Sequence, residues 1–165
     1  MENRPEPTRS WSVSPSAKAK NAVERSVTAL LDALAPERVL KRVEQLPGPV
    51  EQHRTPSGCV LQAATAAVTV SWFPSGGADT GIGELHVLVW HGSVARRGAG
   101  RAKQGATLIT ELVLLPVEPS EEGAIWRSAD GTRYDTAALA AKCISLLEEQ
   151  VVGAGTPPST RTPAT

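Results

Sequence analysis

The sequence predicts an α+β fold: an antiparallel sheet of four to five strands, with two amino-terminal helices and one carboxy-terminal helix packed mainly on one face. Apolar residues recur at helical spacing near both ends of the chain, whereas the middle carries the apolar runs typical of strands. Helices and strands do not alternate along the chain, so no parallel crossover connections are needed. A length of 165 residues fits one domain, which we place at residues 17–152.

Two amphipathic helices are predicted ahead of the strands. The first spans residues 17–34, and its apolar side chains recur every few positions, at Val23, Val27, Leu30, Leu31 and Leu34. Pro36 cannot continue that helix, but its fixed backbone angle suits the first turn of a second helix, over residues 37–46. Two prolines and a glycine at residues 47–49 then end the helical segment.

Three long strands are predicted in the middle of the chain. Residues 59–73 contain no glycine or proline and are interpreted as one long or bent strand. A glycine-rich loop separates this strand from a second at residues 84–95, and a glycine-containing basic loop precedes a third at residues 106–117. Both loops have the length of hairpin connections, which favours an antiparallel meander.

A short hairpin follows the long strands. Asp130-Gly131 is the strongest tight-turn signal in the chain, and it lies between a short strand at residues 124–128 and a return limb at residues 133–134.

The last predicted helix begins at Asp135 or Thr136, either of which can cap it, and runs to about Val152. Its apolar stripe consists of Leu139, Cys143, Leu146, Leu147 and Val151. Because Cys143 lies on this stripe, we interpret it as a small buried hydrophobic residue rather than a reactive thiol.

Both ends of the chain are predicted to be disordered tails, at residues 1–16 and 153–165. They have too little apolar surface to offset the entropy lost when a backbone is ordered. Trp11 is the one large apolar side chain in the first tail, and it either docks on the domain or stays free.

The composition excludes several classes of protein. Seventeen basic residues balance seventeen acidic ones, so no overall charge draws the chain to nucleic acid or anionic lipid. No apolar run approaches the roughly twenty residues that span a bilayer, and the amino terminus lacks the apolar core of a secretory signal. We therefore expect a cytoplasmic protein with reduced thiols and no membrane partner.

No catalytic, metal-binding or cofactor-binding motif is present, so we expect no cofactor and no metal, and favour a non-enzymatic role. Cys59 and Cys143 are far apart in sequence and have none of the spacings of a zinc site. His86 and His91 differ by an odd number of positions, which puts their side chains on opposite faces of a regular strand.

The second and third predicted strands are apolar on both faces. A sheet with one face in water would carry polar residues on that side, yet the alternate positions there are Leu88, Trp90, Val113 and Leu115. Large exposed apolar patches are rare on stable monomers, so we expect something to cover these residues. The leading hypothesis is a non-enzymatic protein-interaction module that forms a homodimer, or binds another protein, through this face.

A small-ligand pocket is the alternative function. In that case the sheet curls around its own cavity, with Trp72, His86 and Glu111 among the lining residues, and the protein binds a small molecule or is a minor enzyme. His86 interrupts an apolar strand, and a buried imidazole needs a hydrogen-bond partner, which Glu111 on the next strand could supply.

A second alternative is the docking of a polyanion or nucleic acid on the basic loop. The loop carries four cations on a glycine-spaced backbone, Arg96, Arg97, Arg101 and Lys103. No aromatic residue is interleaved with them for base stacking, which weighs against nucleic acid.

Overall fold

A computed structural model describes residues 6–42, 48–74, 82–94, 106–120 and 122–155 of the chain. The helices within these ranges are α1 (Glu6–Ala33), α2 (Pro36–Arg42) and α3 (Thr136–Gly155). The strands are β1 (Glu51–Thr55), β2 (Gly58–Gln62), β3 (Ala66–Pro74), β4 (Gly83–His91), β5 (Thr107–Ser120), β6 (Gly123–Ser128) and β7 (Arg133–Tyr134).

The strands form one seven-stranded sheet in the order β1 to β7, so each strand pairs with its neighbour in sequence. All six pairings are antiparallel. The predicted α+β class and antiparallel sheet are confirmed, but the prediction of four to five strands is wrong. Strand β1 was not predicted, and the strand predicted over residues 59–73 divides into β2 and β3.

The side chain of Gln62 stabilises the turn between β2 and β3 through hydrogen bonds. The amide nitrogen of Gln62 donates to the carbonyl oxygens of Ala63 at 2.8 Å and Ala66 at 3.1 Å. It also reaches the carbonyl oxygen of Gly92, at 3.1 Å, while its own oxygen accepts from the backbone nitrogen of Val94 at 2.9 Å. These bonds hold the turn without a glycine or proline, which is why sequence patterns alone did not reveal it.

Strand β1 is polar because its side chains bind the end of α1. The amide nitrogen of Gln52 donates to the carbonyl oxygens of Leu31 and Leu34, at 3.0 and 3.3 Å. Helix ends leave such carbonyls without partners inside the helix, so Gln52 acts as a cap supplied by the sheet. Arg54 adds an ion pair with Asp32 on the same helix, at 2.7 Å.

The helices depart from the predicted boundaries at several ends. Helix α1 begins at Glu6, within the segment predicted to be a disordered tail, and α3 extends to Gly155. Helix α2 ends at Arg42, and the rest of its predicted span lies outside the described residues, as does the chain beyond residue 155. The side chain of Trp11 also lies outside the described part, so both alternatives for it, docked or free, stay open.

The amino end of α3 confirms the predicted cap. A carboxylate oxygen of Asp135 accepts from the backbone nitrogen of Ala138 at 2.7 Å, which satisfies one of the free N–H groups of the first turn.

Helices α1 and α3 contact each other and pack on the same side of the sheet, which we call the covered face. Its fully or almost fully buried strand residues include Leu61, Val68, Val70, Leu85, Val87, Leu114 and Trp126. They form one apolar cluster with the helix stripes, which include Leu30 and Leu34 of α1 and Leu139 and Leu147 of α3. Burial of this cluster is the main source of stability in the fold.

A buried hydroxyl joins α1 to the sheet. The Ser26 hydroxyl oxygen accepts from the backbone nitrogen of Ala124 at 2.9 Å, and Ser26 is itself buried. The neighbouring Gly123 has a φ of 123°, and a Cβ there would lie 2.8 Å from the Ser26 oxygen. Only glycine therefore allows α1 to approach β6 this closely.

Candidate functional site

The side of the sheet opposite the helices, which we call the open face, carries the alternate residues of the same strands. Among the described residues, no helix packs on it, because the large buried apolar side chains of the helices belong to the cluster on the covered face. The strand register fixes its membership. Its main side chains are Val60, Thr69, Ser71, Phe73, Glu84, His86, Leu88, Trp90, Glu111, Val113, Leu115 and Arg127.

The four apolar residues singled out in the sequence all lie on the open face. Leu88 and Trp90 stand at alternate positions of β4, and Val113 and Leu115 at alternate positions of β5. The first three are half-buried by their neighbours, and Leu115 is 38% exposed. Phe73, at the end of β3, is 53% exposed on the same face. These side chains leave an apolar surface at the centre of the sheet.

Trp90 is fixed in place by the neighbouring strand. Its indole nitrogen donates to the Thr69 hydroxyl oxygen at 3.2 Å, and the register places Thr69 on the same face. The polar atom of Trp90 is therefore satisfied within the chain. What the ring offers to a partner is its apolar surface.

His86 is held between two carboxylates on the open face. Its Nε2 lies 2.9 Å from a Glu84 carboxylate oxygen, and its Nδ1 lies 3.6 Å from one of Glu111. The Phe73 ring packs edge-on against the imidazole, with ring centres 4.9 Å apart. Glu111 thus lies near His86 but beyond hydrogen-bond distance, and the hydrogen-bond partner of the imidazole is Glu84. Both contacts lie on a surface and not inside a curled sheet.

Trp72 does not join His86 and Glu111, so the predicted pocket of these three residues does not form. Trp72 follows the alternation of β3 onto the covered face, where it is 6% exposed and packs against Trp126 with ring centres 5.9 Å apart. Neighbours in a strand point to opposite faces, so Trp72 lies across the sheet from the imidazole that pairs with Ser71.

A depression of about 370 Å³ lies on the open face beside the β6–β7 hairpin. Val113 and Leu115 are among its lining residues, together with the carboxylate-bearing Glu84 and the guanidinium-bearing Arg127. The sequence reasoning missed Glu84 and Arg127. The available signal was alternation: Glu84 lies two positions before His86, and Arg127 follows the buried Trp126, so both share the face of Leu115.

The two thiols lie in the core. Cys59 of β2 and Cys143 of α3 are both buried and free. Burial raises the pKa of Cys59 to about 11 and that of Cys143 to about 12, because a thiolate loses its hydration there. Thiols with such pKa values are poor nucleophiles, in agreement with the predicted structural role of Cys143.

The described residues form no metal site, since no three His, Cys, Asp or Glu side chains among them could hold an ion together. The basic loop residues Arg96, Arg97, Arg101 and Lys103 lie outside the described part of the chain. In the part that is described, no helix is long and apolar enough to cross a membrane.

Comparison with known proteins identifies no relative: no family model, curated protein or solved structure matches this chain.

Proposed function

We propose that the protein is a non-enzymatic interaction module that self-associates through the open face of its sheet. The observation that carries the proposal is the apolar centre of that face, where Leu88, Trp90 and Val113 are half-buried and Leu115 is exposed. The occupant we propose is a second copy of this chain.

The edges of the sheet favour association through a face. Strand β1 at one edge is short and polar, with exposed Glu51, His53 and Arg54, and β7 at the other edge has only two residues. Short or charged edge strands resist the addition of a further strand. A second copy would therefore find few backbone groups to pair with, and the apolar face is the surface left to cover.

The size of the open face supports a dimer. Six strands about 4.8 Å apart, used over about 20 Å of their length, make a plate of roughly 600 Å². A standard protein interface buries about 800 Å² on each partner. The area of the open face, together with its rim, is therefore close to the area that a stable dimer buries.

Charge at the rim supports a partner of the same kind. The apolar centre is bordered by acidic Glu84 and Glu111 and by basic Arg127. A surface with both signs can complement a rotated copy of itself, as an isologous interface requires.

Replacing Leu115 with arginine tests the proposal. The full-length parent is expected to sediment at micromolar concentration with twice the chain mass of 17.3 kDa. Leu115→Arg replaces apolar surface at the centre of the interface with a long charged side chain that faces its own copy, so the dissociation constant should rise more than about a hundredfold. The matched control, Ala29→Arg, adds the same charge on the exposed side of α1 and should change nothing. The proposal would be refuted if the parent stays monomeric at a concentration of about 100 micromolar. It would also be refuted if the Leu115→Arg variant dimerises as tightly as the parent.

Small-ligand binding in the depression is the second candidate. Its volume of about 370 Å³ lies within the range of roughly 300–1,000 Å³ typical of ligand pockets, and Glu84 and Arg127 supply opposite charges at its walls. A thermal-shift screen of small zwitterionic and amphipathic compounds at a concentration where the parent is monomeric tests it. A hit lost in Arg127→Ala supports this candidate, and a screen with no shift speaks against it.

A further inference from the structure

We infer that the two copies pair about a two-fold axis that runs within about 15° of the direction of β5, with Glu84 of each copy against Arg127 of the other. The inference depends on the proposed self-association and names the geometry of that interface. Its basis is the order of residues in one row across the open face and the shape of the surface at the middle of that row.

The row places an acid, an apolar residue and a base on consecutive strands. Leu85 pairs with Leu114, and Leu115 pairs with Arg127, so Glu84, Leu115 and Arg127 lie side by side on β4, β5 and β6. Neighbouring strands are about 4.8 Å apart, so the backbones of Glu84 and Arg127 stand about 10 Å from each other with Leu115 between them.

A two-fold axis along β5 makes this row complementary to itself. Such an axis lies between the two sheets and exchanges their left and right sides without reversing the strand direction. Leu115 then faces its own copy, and Glu84 on β4 faces Arg127 on the partner's β6. An axis across the strands, or an offset of one strand, does not bring these charges together.

The depression beside Leu115 supports the same axis. Its lining comprises Glu84, Val113, Leu115 and Arg127 together with Ser128, Ala129 and Gly131 of the β6–β7 hairpin, so it borders the proposed axis on the β6 side. Its volume of about 370 Å³ leaves room for the exposed Leu115 side chain of the opposite copy. The space would be filled by apolar atoms at the centre, with one ion pair on each side.

The like charges of Glu111 do not oppose this arrangement. Glu111 lies four residues from Leu115 along β5, which is about 13 Å. Stacked sheets cross at about 30°, so each β5 is inclined about 15° to the axis, and about 13 Å from the crossing point at Leu115 the two Glu111 backbones lie about 7 Å apart sideways. Each carboxylate also stays beside its own His86, at 3.6 Å.

Mixing two charge-reversed chains tests the geometry. Glu84→Arg alone and Arg127→Glu alone each place two like-charged pairs in the homodimer, so each dissociation constant should rise at least about thirtyfold. An equimolar mixture restores both ion pairs in a heterodimer, which should form with a dissociation constant within about threefold of the parent value. The two chains differ in mass, so native mass spectrometry counts heterodimers directly while sedimentation gives the constants.

The outcomes separate the two proposals. A parent that never dimerises overturns the proposed function itself. A parent that dimerises while the mixture stays as weak as the single variants overturns only the axis along β5. As a control, Glu24→Arg reverses a charge on the exposed side of α1, away from the open face, and should leave the dissociation constant equal to that of the parent. Circular dichroism of each variant at low concentration checks that it folds, and the chain carrying both reversals provides a second test, since it should dimerise like the parent.

Discussion

The two faces of the sheet are built from the same strands and differ in what covers them. On the covered face, Leu85, Val87 and Leu114 lie beneath α1 and α3 with no exposed surface. On the open face, their neighbours Leu88, Val113 and Leu115 are also apolar but remain partly accessible. Apolar residues at successive positions of a strand thus fall into two sets, and the set on the covered face forms the core together with the helices.

The largest difference between the faces should appear in the cost of truncating a leucine. Leu147→Ala leaves a cavity under α3 and should lower the free energy of unfolding by about 2–5 kcal/mol. Leu115→Ala removes a side chain that is already 38% exposed, so it should cost the dissociated monomer less than about 1 kcal/mol. Urea unfolding followed by circular dichroism, below the dimer dissociation constant, measures both. Equal losses would mean that the faces do not differ as described.

Removing one hydroxyl from each face gives a smaller contrast. Ser26→Ala leaves the buried backbone nitrogen of Ala124 without a partner, which should cost about 1–3 kcal/mol. Thr69→Val removes the acceptor of the Trp90 indole, but that nitrogen can turn to water on the open face. We expect a loss of less than about 1 kcal/mol there. The same urea titration measures the loss of stability in both variants. A Thr69→Val variant as unstable as Ser26→Ala would indicate that the open face is buried within the chain.

The buried thiols predict a modest loss of stability in alkali that belongs to the covered face. Burial raises the pKa of Cys59 from its ordinary value of 9.0 to about 11, so folding favours the neutral thiol. This contribution is complete below pH 9 and is lost as the pH rises from 9 through 11. Cys143, raised to about 12, acts in the same direction.

Melting temperatures between pH 8 and pH 11 check this expectation. The Cys59→Ala/Cys143→Ala variant should show a shallower decline in melting temperature than the parent, because it lacks the two thiols whose ionisation burial opposes. Parallel curves would show that the thiols do not contribute.

The sequence predicts best where a local signal and the tertiary contact agree. Asp135 caps α3 in sequence and in structure, and Asp130-Gly131 forms the predicted tight turn, where Gly131 has a φ of 91°. The apolar runs of β4 and β5 likewise predict residues on both faces of the sheet. In each case the chemistry that forms the element lies within a few residues of it.

The sequence fails where a distant group supplies the interaction. The turn after Gln62 depends on bonds to Gly92 and Val94, about thirty residues away, and no local pattern records them. Strand β1 is polar, and its Gln52 side chain donates a hydrogen bond to a carbonyl oxygen at the end of α1. Its sequence therefore lacks the apolar alternation by which a strand is recognised. The Thr55-Pro56-Ser57-Gly58 sequence was the one available signal, since proline and glycine at the second and fourth positions are typical of a type I turn.

The candidate site was predicted in part. Alternation placed Leu88, Trp90, Val113 and Leu115 on one face without the structure. The predicted meander gives the order of the strands but not their register, and therefore not that Glu84 and Arg127 flank Leu115. Trp72 was wrongly placed with His86 because the sequence does not record the register of β3 against β4, which pairs Trp72 with the buried Leu85 and Ser71 with His86.

The protection of a cysteine placed on the open face is the most direct measure of whether a second copy covers it. Leu115→Cys introduces an accessible thiol, while the native Cys59 and Cys143 remain buried and react slowly. We predict that maleimide modifies residue 115 rapidly at concentrations well below the dissociation constant and at least about tenfold more slowly well above it, since the free fraction limits the rate. A rate that is fast and independent of protein concentration would contradict the account.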